Sequence, residues 1–137
     1  MSNGICCVTN VNTKLNLEND NFLSFDKMCS ESRTEKKVIT EYLTADVSYK
    51  FNEDVGTFSF GINKEKFSSF VFSFFAIGLD RKNETSIKLG TCTLSFKILN
   101  KTEGVLSLKG KKNYEFTVKL QSMRNFQGKL LRLIRML

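Results

Sequence analysis

Apolar and polar side chains alternate with a period of two along most of the chain after residue 37, and few folds can accept that pattern. Ala45, Val47, Tyr49 and Phe51 interleave with Asp46, Ser48 and Lys50, and Phe58, Phe60 and Ile62 interleave with Ser59 and Gly61. Cys92, Leu94, Phe96 and Ile98 repeat the pattern, as do Tyr114, Phe116, Val118 and Leu120, with Val105 to Leu108 as a shorter piece between them. Successive side chains on a strand point to opposite faces, so each segment reads as a strand with one face buried. The run Phe70 to Ile77 is apolar on both parities and predicts a central strand covered on both faces. Ile5 to Val11 with Leu15 to Leu17, and Lys37 to Leu43, predict two more strands, with Glu18 to Lys36 between them as a long loop.

The chain has no Pro, so Gly, Asn, Asp and Ser must make its turns. They cluster at Asn52-Glu53-Asp54, Asn63 to Lys66, Asp80 to Ser86, Asn100 to Gly104 and Gly110 to Asn113. Strands at hairpin spacing between such turns predict an all-β fold, an antiparallel β-sandwich. At 137 residues the chain fits one domain.

From Ser122 the period changes. Met123, Phe126, Leu130, Leu133, Ile134 and Leu137 recur at steps of three and four, while Arg124, Lys129, Arg132 and Arg135 interleave with no acid among them. A basic amphipathic helix over 122–137 follows, part of or appended to a sandwich domain over 1–121. Either its apolar stripe docks on its own sheet, or the stripe meets an acidic membrane surface or a partner's groove.

The charge is as uneven as the pattern. Residues 1–36 carry four basic and five acidic side chains, residues 37–99 eight and seven, and residues 100–137 nine and two. The differences are −1, +1 and +7, so the last third holds the whole formal charge of +7. A near-neutral body with a basic end presents one surface to an anionic partner. The residues expected to form that surface are Lys109, Lys111, Lys112, Arg124, Lys129, Arg132 and Arg135.

Three stretches carry a family resemblance. Phe51-Asn52-Glu53 followed by Phe58 and Phe60 resembles the part of C2 domains where an Asn-Glu pair precedes a Phe-x-Phe strand. Leu89-Gly90-Thr91-Cys92-Thr93-Leu94 and Gly104-Val105-Leu106-Ser107-Leu108 are similar to the next two strands of that family. The resemblance covers residues 45–120 and implies a C2-like sandwich of eight strands whose end loops bind phospholipid through calcium or, in divergent members, bind proteins. Where the family has Asp-x-Asp this chain has Gly78-Leu79-Asp80, and Glu18, Asp20 and Asp26 form no recognisable ligand pattern. The implied member is calcium-independent.

Catalysis has no visible constellation here. There is no His to act as base or ligand, and Glu53-Asp54 lies in a turn signal. Gly56, Gly61 and Gly78 lack phosphate-loop spacing, so no cofactor is implied. Cys6 and Cys7 are adjacent without a partner pair, unlike zinc ligands. No apolar run reaches the roughly 18 residues of a membrane span, and no charged-then-apolar leader opens the chain, so the address expected is cytoplasmic, either free or peripheral to a membrane. In that compartment Cys6, Cys7, Cys29 and Cys92 should be free thiols, with Cys6 and Cys7 in the first strand and one of them buried.

The function expected is a non-catalytic interaction module, docking on a protein partner or an anionic phospholipid surface, with no small-molecule substrate. The alternative is a small basic or structural protein that binds nucleic acid. In that case Lys111, Lys112, Lys119 and Arg124 would neutralise phosphates, and Tyr114 or Phe126 would stack on bases.

Overall fold

The computed structural model describes residues 5–76 and 84–137. Four strands, β1 (Ile5–Asn16), β2 (Phe22–Glu35), β3 (Val38–Phe51) and β4 (Asp54–Asn63), precede a helix, α1 (Lys64–Ala76). Four more, β5 (Glu84–Leu89), β6 (Cys92–Ile98), β7 (Glu103–Lys109) and β8 (Asn113–Lys119), precede a second helix, α2 (Leu120–Met136). Each set of strands is an antiparallel meander in sequence order. The fold is therefore mostly β, in two antiparallel sheets with a terminal helix, and the pattern of four strands and a helix occurs twice.

Besides the turn read at Asp80 to Ser86, of which Glu84 to Ser86 open β5 while 80–83 lie outside the described residues, two sequence expectations are corrected. Phe70 to Ala76 belongs to α1 and not to a core strand, while Ile77 lies outside the described residues. The side chain of Asn63, read from sequence as part of a turn, caps this helix by accepting from the N–H groups of Glu65 and Lys66 at 2.9 and 3.1 Å. Phe67, Phe70 and Val71, spaced three and four apart, are its buried face.

The second correction concerns residues 18–36, which form a short 3-10 turn (Glu18–Asp20) and the strand β2, where a loop was expected. β2 escapes a period-two reading because a bulge between Phe25 and Lys27 changes its phase. Leu23 and Phe25 are buried before the bulge, and Met28 and Ser30 after it. At its far end β2 turns into β3 through Lys36 and Lys37, both at positive φ (50° and 68°), as a two-residue hairpin of matching twist requires.

The core gathers on the inner face of the first sheet. Phe25 of β2 touches Phe60 of β4, Phe67 of α1 and Phe126 of α2, with ring centroids 6.1, 5.9 and 5.9 Å apart. Met123, Phe126, Leu130, Leu133 and Ile134 are all buried, so α2 spends its apolar stripe on its own domain. Gln127 ties the helices together by donating to the carbonyl of Val71 at 2.8 Å. The sheets themselves meet at one end, where Phe51 packs against Tyr114 and Phe116 at 4.9 and 5.1 Å.

The second sheet has its own fixed point. A Cβ on Gly104 would lie 2.6 Å from the buried ring of Phe96 and 2.7 Å from a backbone oxygen, so only glycine fits there. Phe126→Ala should lower unfolding free energy by about 3–5 kcal/mol, and Gly104→Ala by about 1–3 kcal/mol, in denaturant titrations. Gly128 lies in the exposed face of α2 with nothing within 4 Å of its would-be Cβ. Gly128→Ala should therefore raise stability by about 1 kcal/mol in the same assay.

Candidate functional site

All seven side chains expected to form the basic surface are exposed. They fall into two groups. Lys109 ends β7, and Lys111 and Lys112 occupy the turn into β8. Arg124, Lys129, Arg132 and Arg135 lie on α2 opposite its buried stripe, because their spacing keeps them out of phase with Met123, Phe126 and Leu130.

The first group stands at a cleft. Tyr49, Phe58 and Tyr114, with Asp54, Lys111 and Lys112, line a hollow of about 520 Å³ between the β3–β4 end of one sheet and the β7–β8 end of the other. No residue of α2 lines it. Tyr49 stacks on Phe51 at 4.8 Å, and Phe51 carries Tyr114, so the cleft wall is continuous with the aromatic contact that joins the sheets. Gly56 makes room for this wall, since a Cβ there would lie 2.5 Å from the Tyr49 hydroxyl. All three cleft rings are only half-buried.

Polar contacts set the orientation of the cleft. The Tyr114 hydroxyl donates to a carboxylate oxygen of Asp54 at 2.8 Å, and Lys112 Nζ lies 3.4 Å from the same carboxylate. That hydrogen bond chiefly raises the Tyr114 pKa to about 12, with burial adding to it, and it chiefly lowers the Asp54 pKa. Turn position holds Asp54 in place. Asn52 takes positive φ and donates its N–H to the side chain of buried Asn21 at 2.7 Å, which ties the β3–β4 turn to the segment before β2.

A second hollow, of about 430 Å³, lies where β8 passes into α2, and it is lined by Lys101, Lys119 and Arg124 together with Glu103. Thus Lys119 and Arg124 share one site, apart from Lys111 and Lys112. Phe126, considered as a base-stacking ring, is buried against Phe25 and cannot serve. Tyr114 remains available at the cleft.

Sequence reasoning missed Asp54, which reads as a solvated turn, and Tyr49 and Phe58, which read as core. The in-phase glycine at 56 is the one local sign that a ring on the neighbouring strand has space beside it. Of the carboxylates weighed for calcium, Glu18 and Asp20 lie in the 3-10 turn, and Asp26 accepts the Ser24 hydroxyl at 2.8 Å. The Gly78-Leu79-Asp80 stretch lies outside the described residues. Among the described residues no group of three or more Asp, Glu, Cys or His is placed to hold a metal ion, and no helix is long and apolar enough to cross a membrane.

The cysteine expectation is also corrected. Cys7 and Cys29 are directly opposed on β1 and β2 and form a disulfide, leaving Cys6 and Cys92 free. Cys6 and Cys7 are both exposed, so neither is buried as anticipated. No family model matches the chain, and no curated protein and no solved structure matches it.

The Tyr114–Asp54 bond should be visible in a spectrophotometric titration. Raising an acid's pKa means that folded protein holds the proton longer. The stabilisation is thus full below pH 10 and is lost as pH climbs towards 12. Asp54 behaves in the opposite sense, with its contribution present above its ordinary value and lost in acid. One of the phenolate transitions should fall near pH 12 and move back towards 10 in Asp54→Asn; an unchanged titration would refute the bond.

Proposed function

We propose that this protein is a non-catalytic binding module for single-stranded nucleic acid. Phosphates would meet the basic turn and helix face, and an unpaired base would meet the cleft. The observation that carries this reading is the cleft, where half-buried Tyr49, Phe58 and Tyr114 lie beside Lys111 and Lys112. Aromatic faces next to cations suit a stacked base with its phosphates, because every base has a π-face and every linkage has a charge.

The buried stripe of α2 bears on the competing expectations. A helix that enters an anionic membrane needs its own apolar face, and here that face lies against Phe25 and α1. What α2 offers to solvent is Arg124, Lys129, Arg132 and Arg135 around Gly128. The glycine costs stability and relieves no crowding within the domain. An open spot among cations suits close approach of a phosphate backbone.

Fluorescent oligothymidylate should bind with a log-log salt slope of several units. Lys111→Gln with Lys112→Gln should reduce the slope by about two, one per cation. Tyr114→Ala should weaken binding by about 1–3 kcal/mol, while Tyr114→Phe should retain it because the ring remains. Binding to phosphatidylserine vesicles without binding to oligonucleotide would overturn the proposal in favour of the lipid surface.

A further inference from the structure

We infer that Cys7 and Cys29 form a reversible thiol–disulfide site that latches the first half of β1, and through it the end of α2, to the first sheet. This inference does not depend on the nucleic-acid reading.

The latch follows from how β1 is held. Its register to β2 runs from Ile5↔Glu31 to Thr9↔Lys27, breaks, and resumes only at Thr13↔Phe25. Thr13 closes the break with a fully buried hydroxyl that has no hydrogen-bond partner among the described residues, so polar desolvation works against the strand at that point. Beyond Thr13 the strand is anchored by buried Leu15. Before the break, Ile5 is 66% exposed and Cys6 and Cys7 are exposed too, while Val8 is half-buried against the core. The first half is therefore a weakly buried edge segment behind an interruption, which is the kind of unit that opens locally. The disulfide sits in the middle of it, at Cys7↔Cys29.

Two observations give the latch reach and access. The Cys6 thiol contacts the carbonyl oxygen of Met136 at 3.6 Å, linking the same half-strand to the last turn of α2 beside Arg132 and Arg135. Cys7 is exposed and Cys29 half-buried on the sheet's outer face, so a small disulfide or thiol can reach the pair.

Closure balances as an exchange with a low-molecular-weight disulfide. The Cys7 thiolate attacks one sulfur of that disulfide, forming a mixed disulfide and releasing one thiolate. The Cys29 thiolate then attacks the Cys7 sulfur and releases the second. The protein dithiol gives up two electrons and two protons, and the small disulfide is reduced to two thiols.

The test uses the full chain in oxidised and reduced glutathione, with thiol trapping by N-ethylmaleimide, peptide mass spectrometry and amide hydrogen exchange. In the oxidised sample Cys6 and Cys92 should be alkylated while Cys7 and Cys29 are joined. In the reduced sample all four should be alkylated, and amides of residues 5–9 should exchange at least tenfold faster while those of 14–16 change less than threefold. Cys7→Ser with Cys29→Ser should exchange as the reduced protein does in either buffer. If that variant does not fold, reduced wild type supplies the same comparison. Alkylation of Cys7 and Cys29 in oxidised glutathione, or equal exchange at 5–9 in both samples, would overturn the latch.

Discussion

Phe25 is the contact on which the rest of the structure depends. It is almost fully buried, and its ring meets one aromatic from β4, one from α1 and one from α2. Such ring pairs add orientation to the area they bury, since edge-to-face and tilted arrangements are favoured over parallel overlap. This cluster joins both helices to the first sheet, with the buried stripe of α2 completing the seat. The meaning of the basic surface therefore rests on an apolar contact that the charges never touch.

The same economy links the core to the cleft. Phe51 is buried between the sheets, and it packs against both Tyr49 and Tyr114, whose own rings lie 6.2 Å apart. The cleft rings are thus a half-buried outcrop of the core. Asp54 and Lys112 fix the rim by charge and hydrogen bonding across the two sheets. Rings held in place by such contacts would need little further ordering to take up the proposed base, which lowers the entropic cost of association.

Much of the fold was legible in the chain. Alternation located β4, β6, β7, β8 and most of β3, because in each the more buried side chains keep to one parity without a change of phase. It failed at β2, where one bulge exchanges the buried parity at Phe25 and Met28, so no single phase fits the strand. It failed again at Phe70 to Ala76, where apolar residues on both parities, interrupted by Ser73, satisfy both periods and Asn63 at the start discriminates. Cys7 and Cys29 were beyond reach for a related reason. Their pairing depends on the register of a strand that the sequence did not reveal.

The sequence by itself determined the β-rich class, the terminal amphipathic helix and the concentration of positive charge in the last third. These follow from local periodicity and from counting, which need no knowledge of neighbours. Only the tertiary structure decided which surface the helix keeps and which it buries, that Lys111 and Lys112 flank aromatic rings from the other sheet, and that Lys119 and Arg124 lie at a separate hollow. Each depends on contacts between residues far apart in the chain, such as Phe25 with Phe126 and Asp54 with Tyr114. A period can say that a face is apolar; what covers that face is a property of packing.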